Sequence, residues 1–565
     1  MLIVGGGGCG LGMSIFLSSF GVHSLLVERS AEPVGQPRAH ILNQRTMEIF
    51  RQHGIDGPVY ERGARPEHME RIVFCTSLGG DGPLERRKLG SLDGYGGGAL
   101  RARYDADSPC RATNLPLMQL EPLLRALAQG RAPAELRFHH ELVSFEQDAE
   151  GVSARVRDHD RGTEYRVRAR YLVAADGGKT VGRALGIEMH GPRRLRRMVN
   201  TFFAADLSPW IEDDGALIHY ILNPDGRGVW SAGGLVKSGP TRWDRHSETW
   251  VLFREVSPDG PEALDETSAL ARVRELLRLP KLEARVLKVG LWDIEGVYAK
   301  RYAAQRIFLA GDAAHRHPPL SALGLNTAFG DAHNLAWKLA LVLSGGAADG
   351  LLDTYESERQ PVGARVAEWA LNGFRMRAIL DAAIGLVPGE REANRRAFEE
   401  LLADTPGGAT RRAIFAEALH IQRVGPQAHD MEIGYAYKSG ALVPDGTPPR
   451  ERDPMAGIYR PSTRPGSRLP HAWIERGGER VSTHDLVRAE RFLVVGGDAW
   501  RAAAGEGARR FGIAIDHADI GAAFSDLEPG GALLVRPDAH IAWRSRAARD
   551  PRAALAQALA AVLRT

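Results

Sequence analysis

Near the start of the chain, the spacing of glycines sets up a phosphate site. Gly5-x-Gly7-x-x-Gly10 follows an apolar strand, Leu2-Ile3-Val4, and opens a helical pattern that runs through Phe20. Glycines at those positions let backbone amides and a helix N-terminus approach a pyrophosphate that any Cβ would hold off. Glu28 closes the next strand, Ser24 to Glu28, and lies 18 residues past Gly10. A carboxylate there can accept both ribose hydroxyls of an adenosine, so the two signals together point to a dinucleotide, NAD or FAD. Gly8, Cys9 and Gly12 add small residues to the turn, and Cys9 reads as helix packing rather than as a reactive thiol. His315 and His317 have an HxH spacing, but Pro318 follows and no acidic or Cys partner accompanies them, so a structural turn is expected and no metal. His219, Tyr220, Trp230 and Trp292 are candidate walls of an aromatic pocket, although strand aromatics more often serve as core.

The elements that must carry these residues follow from pattern. A βαβ start is followed by strand-like Tyr171–Ala175 and Arg306–Ala310, which end in the turns Asp176-Gly177 and Gly311-Asp312. Open α/β folds hold their ligands at such a sheet edge. Between about 180 and 290 the pattern changes to short alternating segments, such as Leu217–Leu222 and Gly228–Trp230, split by turn residues, which reads as an inserted and mainly antiparallel domain. Helical spacing returns from Asn326 to about Leu343 and from Asp353 to about Leu380. A Pro/Gly/Arg-rich stretch from about 443 to 470 leads into Arg491–Gly496, an Ala-rich helix and Gly531–Pro537, a third small α/β unit. With 565 residues the chain exceeds one core, and two or three domains are expected. The first strand has only about three residues before its turn, short of the usual ~5–6, so either the sheet tolerates a short strand or the chain begins late, and several apolar residues added upstream are expected to raise the thermal stability of the holoprotein.

Composition narrows the classes further. Of the 73 basic residues 65 are Arg, spread among 70 acids for a net charge of +3, and no basic run suggests a nucleic-acid surface. Apolar stretches break well before the ~20 residues needed to span a bilayer, so no membrane segment and a cytoplasmic location are expected. The three cysteines, Cys9, Cys75 and Cys110, form no CxxC and no ligand spacing with His.

Four ordered motifs carry a family resemblance: Pro37 to Glu48, Gln119-Leu120-Glu121, Ala175-Asp176-Gly177, and Gly311 to Pro319. Over residues 2 to about 375 the chain resembles the single-component FAD-dependent aromatic hydroxylases (class A flavoprotein monooxygenases), most closely the phenol hydroxylase and 2,4-dichlorophenol 6-monooxygenase branch. The fold this implies is α/β: a Rossmann-type FAD-binding domain (1–75, 100–180 and 285–380), an inserted mainly antiparallel β-sheet substrate domain (76–99 and 181–284), a helical connection (381–442), and a thioredoxin-like α/β domain (443–565). That last unit has no cysteine, so packing or dimer contact is its expected role, and a homodimer is expected from the resemblance.

The resemblance implies FAD as cofactor, with NADPH or NADH and O2 as cosubstrates. Beside Gly5, Gly7 and Gly10, it places Glu28 and Arg29 at the adenosine, Arg38 and Gln119 toward the pyrophosphate and ribityl chain, Asp176 near the pyrophosphate, and Gly311 with Asp312 at a ribityl hydroxyl. Gly324, Leu325 and Asn326 would turn a helix N-terminus to the flavin pyrimidine edge, where reduction places negative charge. Ser321-Ala322 stand where the family usually has two glycines, which bears on flavin mobility. The implied reaction is hydroxylation of a phenolic or related aromatic substrate through a flavin C4a-hydroperoxide. His40 falls where phenol hydroxylases place a polar active-site residue, and as a neutral imidazole it could take the phenol proton; a plain hydrogen-bonding loop His is the competing reading. Two alternatives accompany this expectation. One is a tailoring oxygenase, hydroxylating or Baeyer–Villiger, that acts on a polycyclic aromatic metabolite; the other is a flavin-containing sensor without turnover.

Overall fold

The computed structural model describes residues 1–33, 35, 38–224, 233–256, 264–547 and 549–565. Trp230 and the segment expected at Gly228–Trp230 lie outside the described residues.

An inner six-stranded sheet forms around the short first strand, in the order 303–304, 307–309, 172–174, 2–4, 24–28, 134–138. All but the 303–304 hairpin run parallel, so the C-terminal ends of five strands meet at one edge. Leu2–Val4 is three residues long, yet it pairs on both sides, Leu2 with Leu25 and Leu172, and Leu2 and Ile3 are wholly buried. A strand covered on both faces and both edges reads as a continuous apolar run, and this one does. The glycine-turn helix, Gly8–Ser19, packs on a long helix, Gly324–Ser344, which is buried through most of its length and ends on Gly345 in the left-handed conformation. Close approach of these helices requires Gly12, where a Cβ would stand 2.9 Å from the Phe329 ring.

The second sheet has seven strands, in the order 284–294, 196–205, 249–255, 234–237, 216–221, 71–75, 88–93. It is antiparallel except where 216–221 runs parallel to 71–75. The boundaries expected at 75/76 and 284/285 therefore cut this sheet: Arg71–Cys75 and Ala284–Ile294 are hydrogen-bonded members of it. Nothing local says which sheet either strand joins, because a parallel pairing across more than 140 positions leaves no local mark in the sequence. One face of the sheet is covered by the helix Glu266–Leu277 through Val273 and Leu277. The other faces the nucleotide domain.

Helices at Arg391–Leu402 and Pro406–Ile421 form the connection. The C-terminal unit carries a four-stranded sheet in the order 515–518, 492–496, 532–535, 541–545, with the first pair parallel and the others antiparallel. Helices Asp498–Phe511 and Pro551–Leu563 accompany it. Its Phe492 meets Trp337 of the long helix edge to face at 5.9 Å, so this unit shares a core with the nucleotide domain. Among the described residues no helix is long and apolar enough to cross a membrane.

Candidate active site

The carboxyl edge of the inner sheet gathers the sequence motifs. Gly5 has φ 110°, and a Cβ there would fall 2.3 Å from the Ala175 oxygen; at Gly10 it would fall 1.9 Å from the Gly5 oxygen. The turn closes only with glycine at both positions. Gly7 precedes the helix Gly8–Ser19 in extended conformation, leaving the first-turn amides open to an anion. Glu28 accepts the Gly6 amide at 2.7 Å and the Ser30 amide at 2.8 Å, which orients its carboxylate beside the glycine turn. Each oxygen keeps a lone pair for a ribose hydroxyl.

Basic charge collects at the same edge. Arg29 and Arg38 are exposed, and with burial of its own they push the Lys179 ammonium below its ordinary value. Asp176 spends both carboxylate oxygens on its own turn, accepting the amides of Gly178, Thr180 and Val181. Its role here is to shape the loop that carries Lys179. Gln119 donates to the Ser238 carbonyl at 2.6 Å and so ties this edge to the outer sheet. One residue missed in the sequence belongs here. Glu121 sits against the glycine turn, its Oε1 3.4 Å from where a Gly7 Cβ would be, and burial raises its carboxyl to about 7 against the opposing pull of Arg38 and the Gly8 amide. It stood in the Gln119-Leu120-Glu121 motif, the fifth residue of the helix Leu117–Gln129, but nothing in the sequence marked it as buried against the turn.

The Gly311-Asp312 turn is held from behind. Asp331 of the long helix accepts the Gly311 amide at 3.1 Å and His315 Nε2 at 2.8 Å on one oxygen, and Arg359 Nε at 2.8 Å on the other. Burial works against this charge, but Arg359 and His315 outweigh it and keep the Asp331 carboxyl below its usual range. Asp312 stays exposed at the turn. His317 stacks on His315 at 4.7 Å. Cys9 packs against Gly311 and Ala328, and burial with the charges of Asp331 and Asp312 keeps its thiol protonated.

Gly324 and Leu325 begin the long helix beside this turn; Leu325 Cδ1 would lie 3.1 Å from a Cβ on Gly8. Asn326 is fully engaged. Its Oδ1 accepts the Asn43 amide at 3.0 Å and the Thr46 hydroxyl at 2.6 Å, while its Nδ2 donates to the Ile41 and Ala322 carbonyls at 3.0 and 2.6 Å. The side chain bolts the segment that follows His40 onto the helix start. His40 itself is held at Nδ1 by Asn114 Oδ1 at 2.7 Å. A carbonyl oxygen only accepts, so Nδ1 carries the proton and Nε2 keeps its lone pair. Burial lowers the His40 value, partly offset by the Asn114 bond, and the ring is neutral near pH 7.

The aromatic candidates separate. His219 and Tyr220 are neighbours on one strand and point to opposite faces, so both cannot line one pocket. His219, opposite Val73 and Leu235, lies on the face covered by Glu266–Leu277, where burial and Lys237 lower it to about 4. This removes His219 from the pocket wall. Tyr220 lies on the face toward the nucleotide domain, stacked on Phe74 at 5.2 Å and edge-on to Phe253 at 5.9 Å. The Arg377 guanidinium sits 4.1 Å from the Tyr220 ring centre. Trp292 shares that face, donating to Asn200 at 2.9 Å and packing beside Phe253 and Leu320. Phe74 and Phe253 escaped the sequence reading because only the sheet pairing brings them to Tyr220, and Arg377 because it arrives from the end of the helix Thr354–Met376.

A glycine turn with oriented carboxylate, a basic cluster and a helix N-terminus beside an aromatic face fit FAD and an aromatic ring. Comparison with known proteins decides the family: residues 1–370 match the FAD binding domain family and residues 462–565 the aromatic-ring hydroxylase C-terminal family. The chain belongs to the FAD-dependent aromatic-ring hydroxylases. This hydroxylase is 36% identical to 2,4-dichlorophenol 6-monooxygenase of Delftia acidovorans, over 96% of this chain and 94% of the relative. It is 35% identical to tetracenomycin B2 monooxygenase-dioxygenase of Streptomyces olivaceus, over 100% and 98%. The crystal structure of the flavin-dependent monooxygenase PieE, in complex with FAD and substrate, superposes with a TM-score of 0.93 at 38% identity, covering 100% of this chain and 98% of that one. The hydroxylase is thus an FAD-dependent monooxygenase acting on aromatic substrates, an α/β FAD-binding domain followed by a C-terminal aromatic-ring hydroxylase domain. A sensor without turnover is set aside by this membership.

Proposed function

We propose that this enzyme hydroxylates a phenolic ring at the expense of NADPH or NADH, with His40 as the base that takes the phenol proton. Bound FAD supplies the redox chemistry, accepting a hydride and delivering one oxygen atom of O2 to the ring. The chain supplies binding, orientation and proton transfer. Gly5, Gly7, Gly10, Glu28, Arg29 and Arg38 hold the adenosine diphosphate portion, and Asp312 with the amides of Gly324 to Asn326 holds the ribityl and ring portions. The single observation carrying the proton step is the Asn114–His40 bond, which leaves Nε2 free as an acceptor. A phenolate is a far better carbon nucleophile than a phenol, so removing that proton activates the ring carbon.

His40→Ala should lower kcat/KM by about 10²-fold or more, the usual scale for a positioned base, and abolish the fall in rate on the acid side that protonation of His40 causes. Full rate with an unchanged pH profile sinks the assignment.

A second reading, a tailoring oxygenase of a polycyclic aromatic metabolite, has its own support. From Phe74 to Trp292 the aromatic face crosses six neighbouring strands, roughly 24 Å at the usual strand spacing, more than one phenol ring needs. NADPH oxidation under air with single-ring and fused-ring phenols separates the two by which class stimulates it and gains one oxygen. We also read the C-terminal unit as thioredoxin-like in strand arrangement and as the dimer contact, which sedimentation of the holoenzyme tests.

A further inference from the structure

We propose that the Ser321 hydroxyl is a hydrogen-bonding ligand of the bound flavin, a contact this chain makes where the family pattern has glycine; the inference rests on the FAD reading above. Ser321 is 3% exposed, and among the described residues its Oγ has no hydrogen-bond partner. A buried hydroxyl without a partner costs stability, and native chains rarely tolerate one without a use for it. The next residue adds a second cost. Ala322 is held at φ 51°, ψ 24°, the left-handed region that a residue with a Cβ avoids. Its carbonyl accepts Asn326 Nδ2 at 2.6 Å, so the turn is fixed to the first turn of the long helix.

The flanking side chains fix where this turn lies. Leu320 packs with Phe374 and Trp292 against the aromatic face, while Leu323 packs with Val362 and Val366. Ser321 stands between them, at the junction of the aromatic face and the start of the helix Gly324–Ser344. At Gly324 a Cβ would lie in ordinary van der Waals contact with His317 Nδ1, at 3.4 Å, so that ring lies beside the helix start. The polar edge of an isoalloxazine carries carbonyl oxygens, ring nitrogens and an N–H, and a serine hydroxyl can donate to the first two or accept from the third. Strain and an orphaned polar atom in adjacent residues beside a ligand edge are what a preorganised contact leaves behind before the ligand binds. A hydroxyl donating there also favours the added negative charge of reduced flavin.

The test compares wild type with Ser321→Ala, and with Ser321→Gly in case the first variant folds poorly. It measures apoprotein melting, FAD dissociation constant, the visible flavin spectrum and the flavin midpoint potential. Loss of an orphaned hydroxyl should raise the melting temperature of the apoprotein. Loss of a ligand should weaken FAD binding by about fivefold or more, shift the visible band and lower the midpoint potential. That opposition of sign between apo and holo forms is one that a merely structural serine does not produce. Unchanged FAD affinity, spectrum and potential in both variants overturns the contact while leaving the FAD reading intact. A wild-type protein that takes up no FAD overturns both.

Discussion

Glu121 is an acid placed against the amides that should hold a diphosphate, and burial resolves the conflict by keeping it protonated up to about pH 7. Its folded value lies above that of an unfolded glutamate, so its stabilising contribution is fully present below about pH 4.5 and is lost as pH rises through about 7. Ionisation also sets a negative charge beside the phosphates. FAD affinity of the wild type should therefore fall several-fold between pH 6 and pH 8, and Glu121→Gln should flatten that dependence and melt higher than wild type at pH 8. Titration of FAD binding by fluorescence at the two pH values checks both, and a wild-type dissociation constant constant across the range refutes the argument. At this scale the sequence was legible where function demands a residue type at a fixed local spacing. At Gly5 and Gly10 a Cβ would collide with backbone oxygen, and Gly311 holds φ 61°, a conformation that side chains avoid. It was illegible for Glu121, whose meaning depends on burial, and misleading for His219, which strand alternation places behind the sheet rather than in front.

Elements meet at the site through few side chains, and Asn326 carries most of one junction. Three of its four hydrogen bonds link the start of the long helix to Ile41, Asn43 and Thr46, the segment that follows His40, and the fourth holds the Ala322 carbonyl of the preceding turn. Asn326→Ala strands the Asn43 amide and the Ile41 carbonyl in a dry interface, at about 1–3 kcal/mol for each group left unpaired. The expected outcome is a lower melting temperature, weaker FAD binding and a hydroxylation rate reduced along with that of His40 variants. Loss of stability without any loss of FAD affinity or rate, measured by calorimetry and turnover, shows that the junction does not position the site. The long helix was visible in advance from its apolar spacing, and so was the turn before it. What could not be seen was that the outer sheet takes Arg71–Cys75 from the first quarter of the chain. Parallel pairing with Ala216–Ile221 is a property of the folded sheet, and through it Phe74 reaches Tyr220.

The whole molecule is held together by buried charge between its first and last domains. Arg536 of the C-terminal unit donates to both oxygens of Glu358, at 2.7 and 2.8 Å, and also pairs with Asp538, while Lys338 of the long helix reaches Glu358 at 2.8 Å. A second knot joins Arg468 to Glu48 of the helix Gln44–Gln52. Burial works against the Glu358 charge, yet Arg536 and Lys338 outweigh it and hold the carboxyl at about 2. A value depressed on folding stabilises above the unfolded value near 4.5 and loses that contribution as pH falls from 4.5 to about 2. The C-terminal unit should therefore loosen first in acid. Arg536→Met brings the same event to neutral pH, because it leaves Asp538 without its guanidinium partner and Glu358 with Lys338 as its remaining cation, a cost of about 3–5 kcal/mol for breaking a buried pair. Calorimetry of the variant should split one transition into two, and limited proteolysis should cut in the Pro/Gly/Arg-rich stretch between 443 and 470. Because the same long helix runs from this network to its start at Gly324, which we propose faces the flavin, FAD affinity should fall in step with that undocking. A single transition with wild-type proteolysis shows that the charges are dispensable to docking, and an intact FAD affinity after undocking shows that the two ends of the helix are not coupled.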